Sequence, residues 1–279
     1  MRLRLYHHPD GARIAYREEG SGPALTLLHS IGLSHREWEP IVEPLAARFR
    51  VVLPDLPLHG DSEDRPRHPY TAEWMVDVLA GFCDEVIGPR PMLAGHDLGA
   101  ELALRAVTGG KVEPSRLVLM PNRLHRREEF AGRRAVWRAA CTAAVLPGLD
   151  RVLARSATLV FRPSFGERLS VQRNPAARDL IRHAFSDVGG NRNRARSWSR
   201  FARRWPSGPW RELLDEYPQV RLPVLLLWAD QDPAHPMTGA RQALDLLPDA
   251  NLRTIPETGF LMAYDDPVSL ARELIAFCG

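Results

Sequence analysis

In the segment Pro91-Met92-Leu93-Ala94-Gly95-His96-Asp97-Leu98-Gly99, an apolar run is joined to a stretch of helical period through a carboxylate flanked two residues away on each side by glycine. A turn this tight leaves no room for a side chain at either glycine, so the central residue is pushed out over the end of the strand. The next residue, Leu98, opens a helix, and its N–H can stabilise negative charge. A carboxylate presented in this way can attack carbon to make an ester, or it can exchange a proton with a bound molecule.

Such a turn needs a sheet beneath it. Short apolar runs at 24–28, 51–53, 91–94, 116–120 and 223–228 are bounded by turn residues and read as buried parallel strands. Segments of helical period at 71–87, 99–109, 237–247 and 267–277 lie between them, and the first 20 residues read as a hairpin turning at Asp10-Gly11. The expected fold class is α/β: a mostly parallel central sheet flanked by helices. Residues 122–215 break the alternation with helical, Arg-rich sequence containing Trp137, Trp198, Phe201, Trp205 and Trp210. The expected organisation is therefore one core, 1–121 with 216–279, and an inserted helical cap, 122–215.

The order His29-Ser30-Ile31-Gly32, Pro54-Asp55-Leu56-Pro57-Leu58-His59-Gly60-Asp61-Ser62, Gly95-His96-Asp97-Leu98-Gly99 and Asp232 resembles the α/β-hydrolase superfamily over nearly the whole chain. The 29–32 loop is similar to that of enol-lactonases. The aspartate at the elbow is similar to that of epoxide hydrolases and haloalkane dehalogenases. The resemblance implies an oxyanion hole from the backbone N–H groups of Ile31 and Leu98 and an acid at Asp232, with Asp230 as a nearby competitor. It also implies a histidine before the last helix, where this chain has Phe260, and no histidine follows His235. Without that base an ester on Asp97 should persist, since general-base assistance is worth typically 10²–10⁴-fold. The specialised patterns are incomplete too. Ile31 and Leu98 have no side-chain N–H to hold a halide, Leu98 stands where fluoroacetate-type enzymes place arginine, and the cap offers Tyr217 alone where epoxide hydrolases use two tyrosines.

Among the histidines, His29, His59 and His96 read as structural links around the elbow. His35, His125, His183 and His235 are placed to reach a pocket, with His235 and His125 as candidate displaced bases. Residues taken as candidate substrate contacts are His29, His125, Trp137, Trp198, Trp205 and His235.

Composition narrows the function classes. The chain holds 36 Arg and one Lys; segment 122–220 carries 20 Arg against 9 acidic residues, a net +11, so with +3 overall the remainder carries −8. That asymmetry suits either a solvated helical surface or an anionic, polycyclic aromatic small-molecule substrate, on which guanidinium and indole both stack. No nucleic-acid motif accompanies the arginines. No membrane-length apolar stretch or signal peptide is evident, so a cytoplasmic protein is expected. Cys83, Cys141 and Cys278 form no metal pattern and suit reduced thiols, and no cofactor motif appears. The sequence leaves the oligomeric state open, a homodimer included.

The reading put first is an enzyme without a histidine base, using Asp97 for acid/base chemistry on a natural product such as an aromatic polyketide: cyclisation, C–C bond formation or rearrangement. The alternatives are a hydrolase of an ester, lactone, epoxide or carbon–halogen bond acting through Asp97, and a non-catalytic small-molecule-binding protein.

Overall fold

A computed structural model describes residues 1–122, 163–185, 191–205 and 211–279, with residues 139, 142, 149 and 152. Its eight strands are β1 (Arg2–His7), β2 (Arg13–Glu19), β3 (Ala24–Leu28), β4 (Arg50–Pro54), β5 (Met92–Gly95), β6 (Arg116–Leu119), β7 (Val224–Ala229) and β8 (Ala250–Ile255). They form a single sheet in the order β1-β2-β4-β3-β5-β6-β7-β8. β1 and β2 pair antiparallel, as do β2 and β4; every pair from β4 to β8 is parallel. The central strands are continuous apolar runs because helices cover both faces: all six residues of β7, VLLLWA, are buried. β8, ANLRTI, has no such run. It closes one edge and is largely open to solvent.

The helices of the core are α1 (Glu39–Ala46), α2 (Ala72–Phe82, continued by a wider turn over Cys83–Ile87) and α3 (Leu98–Thr108). Between β6 and β7 the described helices are α4 (Pro163–Leu169), α5 (Ala176–Phe185), α6 (Arg192–Arg204) and α7 (Arg211–Glu216); α8 (Met237–Leu246), α9 (Met262–Asp265) and α10 (Pro267–Cys278) complete the chain. On one face of the sheet Met75, Leu79, Leu102 and Ala243 pack against Val52, Leu93, Leu117 and Leu226. On the other, Ile41, Leu45, Leu270 and Leu274 pack against Leu25, Val51, Ala94 and Leu225. Each of the Val, Leu, Ile and Met side chains, once buried, contributes about 1.5–3 kcal/mol.

The segment between β6 and β7 docks on the core through polar contacts. In α6, Arg194 donates to Asp64 Oδ2 (3.1 Å) and to the Gly60 carbonyl (3.3 Å), and Ser197 Oγ donates to the Asp64 carbonyl (2.6 Å). After α4, the N–H groups of Val171 and Gln172 donate to Asp265 at 3.1 and 3.2 Å. Some of the arginine excess therefore meets the acidic excess of the core.

Register brings the working ends of three strands level. Leu28 of β3 lies beside Gly95 of β5, which lies beside Leu119 of β6. The loop after β3 and the turn after β5 therefore leave the sheet as neighbours. The approach of α3 to β3 allows no side chain at residue 99, where an added Cβ would stand 2.2 Å from the Leu28 carbonyl oxygen. Both groups are backbone within regular elements and cannot give way, so Gly99→Ala should lower the melting temperature by ten degrees or more, on the order of several kcal/mol. Thermal denaturation followed by circular dichroism checks this; a wild-type midpoint would refute the packing argument.

Candidate active site

Asp97 sits between β5 and α3 with φ 45° and ψ −108°, a left-handed conformation that costs a non-glycine residue about 1–3 kcal/mol. The turn is held by its own backbone. Asp97 N–H donates to the Pro121 carbonyl (2.9 Å), Gly99 N–H to the His96 carbonyl (2.8 Å), and Glu101 N–H to the Asp97 carbonyl (3.0 Å). An added Cβ at Gly95 would lie 2.4 Å from the Gly99 carbonyl carbon, so both glycines of the motif are required by close contact.

The two carboxylate oxygens of Asp97 have different surroundings. Oδ2 accepts from Ile31 N–H at 3.2 Å. Leu98 is the first residue of α3, so its N–H has no acceptor within the helix. Oδ1 lies 3.6 Å from His235 Nε2, while His235 Nδ1 is 2.7 Å from Asp232 Oδ2. Asp97, His235 and Asp232 thus stand in line, all buried. An imidazole therefore stands beside the Asp97 carboxylate, that of His235, one of the two histidines the sequence offers as a displaced base. The reason is local: Asp232 Oδ1 accepts from Ala234 N–H (2.8 Å), curling the loop after β7 so that a residue three positions on returns to the same carboxylate. Trp228 Nε1 secures the turn by donating to the His235 carbonyl at 2.8 Å. Asp230 is otherwise engaged, its Oδ1 accepting from Thr258 N–H at 3.2 Å.

Burial works against charge at both members of the His235–Asp232 pair, yet each gains more from its partners. Hydrogen bonds to Asp232 and Asp97, and their charges, raise the His235 pKa above the ordinary imidazole value. The His235 hydrogen bond and charge, with Ala234 N–H, hold Asp232 below the usual carboxylate range. The raised histidine stabilises the fold fully below its unfolded value of about 6.5, and this is lost as pH rises; the depressed aspartate stabilises it above about 3.9, and this is lost as pH falls.

The loop after β3 and the turn after β5 share a buried anchor, Glu37. Its Oε2 accepts from Ser30 N–H (2.7 Å) and Ser30 Oγ (2.8 Å), and its Oε1 lies 2.5 Å from His96 Nδ1. Glu37 thereby joins the residue before Ile31 to the residue before Asp97. Nothing in the sequence pattern singles out this glutamate, because its partners are 7 and 59 residues away. A second unforeseen group is Glu101, one turn along α3 from Asp97, which burial pushes up to about 7 despite its ion pair with Arg105.

The remaining candidates are distributed as follows. Phe260 lies in the loop between β8 and α9, its ring centroid 4.6 Å from His96 and 5.8 Å from His235. His29 serves as a strut: Nε2 accepts from Leu56 N–H (2.9 Å) and Nδ1 lies 2.8 Å from the Ser30 carbonyl, so both ring nitrogens are engaged within the protein. Burial lowers its pKa and, with the charge of His29, takes His59 to about 3. Trp198 stands edge-on to His59 (4.8 Å), and Trp205 stacks on Phe201 (5.1 Å), both against the core. His125 and Trp137 lie outside the described residues. Among the described cysteines, Cys83 and Cys278 are buried and unpaired.

Among the described residues one set has metal-ligand spacing: His35, Asp55 and Asp61. Arg17 already supplies the cation there, 3.1 Å from His35 Nδ1, 2.5 Å from Asp61 and 3.6 Å from Asp55. No helix among the described residues is long and apolar enough to cross a membrane.

Comparison with known proteins agrees with the fold. A family model described as Alpha/beta hydrolase family matches residues 27–273. The chain is 29% identical over 245 residues to the magnesium-chelatase 30 kDa subunit of Rhodobacter capsulatus, covering 84% of this chain and 79% of that one. Matches to curated esterases are confined to about a third of their length. An alpha/beta hydrolase fold protein from Burkholderia ambifaria superposes with a TM-score of 0.80 at 22% identity, covering 98% of this chain and 97% of that one. The enol-lactonase of Burkholderia xenovorans LB400 gives 0.76 at 19%, covering 99% of each chain. At such identities the likeness is one of fold.

The placement of His235 predicts a titration. Its ring midpoint, read by NMR, should lie above the roughly 6.5 of a free imidazole and should fall in Asp232→Asn, where burial remains and the carboxylate does not. An unchanged midpoint in that variant would dissolve the pair.

Proposed function

Because this chain belongs to the alpha/beta hydrolase family, we propose that it is a hydrolase that forms an ester between Asp97 and an sp³ carbon of a small-molecule substrate and then cleaves that ester with His235 as base. The observation that carries this reading is the division of labour at the carboxylate, with Oδ2 on Ile31 N–H and Oδ1 3.6 Å from His235 Nε2. Oδ2 takes the donor that the carbonyl oxygen of an ester or lactone substrate would need. Acyl transfer is therefore disfavoured, and displacement at carbon by Oδ1 is favoured.

The steps balance as follows. Oδ1 attacks the carbon, the bond to the leaving group breaks with its electron pair, and Asp97 becomes a neutral ester. For an epoxide the leaving group is the ring oxygen, which takes a proton from the site; for an alkyl halide it is the halide ion. His235 Nε2 then removes a proton from water as the water oxygen attacks Cγ, and negative charge collects on Oδ2, where Ile31 N–H already points and Leu98 N–H opens α3. Collapse expels the alcohol, which takes up the proton held by His235, and leaves Asp97 as the acid; its remaining proton, the second from water, returns to the group that protonated the epoxide oxygen or, after halide departure, passes to solvent, which restores the carboxylate. Asp232 keeps the His235 ring in the tautomer that leaves Nε2 free to accept, and offsets the charge of the imidazolium. Ile31 and Leu98 have no side-chain N–H for a halide and Tyr217 stands alone where two tyrosines would polarise an epoxide, so both substrate classes enter the test.

The non-hydrolytic reading, acid/base tailoring of a polycyclic natural product, rested on the absence of a base. With an imidazole beside Asp97 it loses that support. Arginines and tryptophans between β6 and β7 leave an anionic or aromatic substrate compatible with the hydrolytic reading.

Incubation with styrene oxide or 1-bromobutane, followed by mass spectrometry of the peptide containing residue 97, tests the proposal. Wild-type protein should turn over at least one of them. His235→Gln should lose about 10²–10⁴-fold in turnover and accumulate an adduct on Asp97. Asp97→Asn should show neither turnover nor adduct. Full activity in Asp97→Asn, or an isomerised product without any adduct in His235→Gln, would overturn it.

A further inference from the structure

We infer that Phe260 is a positioning residue for His235: the benzyl ring on the loop after β8 fixes the plane of the imidazole, so that Nε2 stays directed at Asp97. The inference rests on the hydrolytic reading above and adds a role for a side chain that takes no part in proton transfer.

Two kinds of constraint act on the His235 ring. Asp232 fixes one edge through Nδ1 at 2.7 Å. A single hydrogen bond sets a distance and leaves the ring plane free to swing about it. Phe260 supplies the missing constraint, lying nearly parallel to His235, with 27° between the planes and 5.8 Å between the centroids. Offset stacking of this kind favours a fixed relation between the two ring planes. On the other side of the ring Nε2 meets Asp97 Oδ1 at 3.6 Å, a longer contact than the one at Nδ1 and a weaker restraint on the ring plane.

Phe260 is in turn backed by a rigid wall. Its other neighbour is His96, at 4.6 Å and 45°, whose Nδ1 is tied to Glu37, and Glu37 is tied to Ser30. The chain on either side is also held. Thr258 N–H donates to Asp230, Gly259 N–H donates to Asp265 Oδ2 at 2.8 Å, and Leu261 N–H donates to the Leu169 carbonyl at 3.2 Å. The ring therefore sits between two imidazoles, each bound to its own carboxylate, and transmits the position of the elbow to the base.

The test compares rings with non-rings at this position. Phe260→Leu and Phe260→Met keep an apolar side chain without a plane; Phe260→Tyr keeps the plane. In rapid-quench experiments with styrene oxide, Leu and Met should slow cleavage of the Asp97 ester about tenfold or more relative to its formation, so that the adduct becomes visible by mass spectrometry, and Tyr should restore the wild-type ratio. The His235 ring resonances, which need no substrate, should lose their upfield ring-current shift in Leu and Met and keep it in Tyr. Ester cleavage at the wild-type rate in a folded Leu or Met variant overturns the inference. If His235→Gln traps the ester while Phe260→Leu does not, the positioning role alone fails; if neither traps it, the hydrolytic reading fails first.

Discussion

The contact between α3 and β3 at Gly99, where the backbones leave no room for even a methyl group, is the constraint on which the rest of the site depends. It sets how sharply the chain must reverse after β5, and that reversal forces Asp97 into its left-handed conformation. The strain is offset by three backbone hydrogen bonds and by the apolar packing of α3 against Leu93 and Leu117. Because the same contact brings the ends of β3 and β5 together, Ile31 N–H falls on the carboxylate that the turn lifts. Position, strain and electrostatic stabilisation therefore share one origin.

Much of this was legible in the residue order. The central strands could be read because they are buried on both faces and show as unbroken apolar runs: the reading 24–28 coincides with β3, and 223–228 falls within a residue of β7. Helical periods at 99–109 and 237–247 match α3 and α8 to within a residue. β8 escaped notice because it is an edge strand whose exposed positions carry Asn251, Arg253 and Thr254, leaving no hydrophobic run to see. The elbow was visible because it is local, with all its determinants within five residues.

The place of His235 was harder to see, because a loop's course depends on contacts that pattern does not encode. His235 was among the candidates, but its claim rests on the Asx-type turn at Asp232 and on Trp228 reaching the His235 carbonyl. Phe260 shows the converse. Its place in the order marked a histidine as missing, and the structure gives the ring a neighbour on each side instead. Glu37 and Glu101 were invisible for the same reason: each is an isolated glutamate whose environment only the folded chain supplies.

Asp232 and His235 on a single loop have one more consequence. Where a carboxylate and an imidazole arrive from separate connections, any breathing of the sheet margin alters the gap between them. Here Asp232 and His235 are three residues apart within one short curl, so they travel together, and a displacement of that connection changes their joint distance to the elbow while leaving their own partnership intact. The dyad behaves as a self-contained cassette.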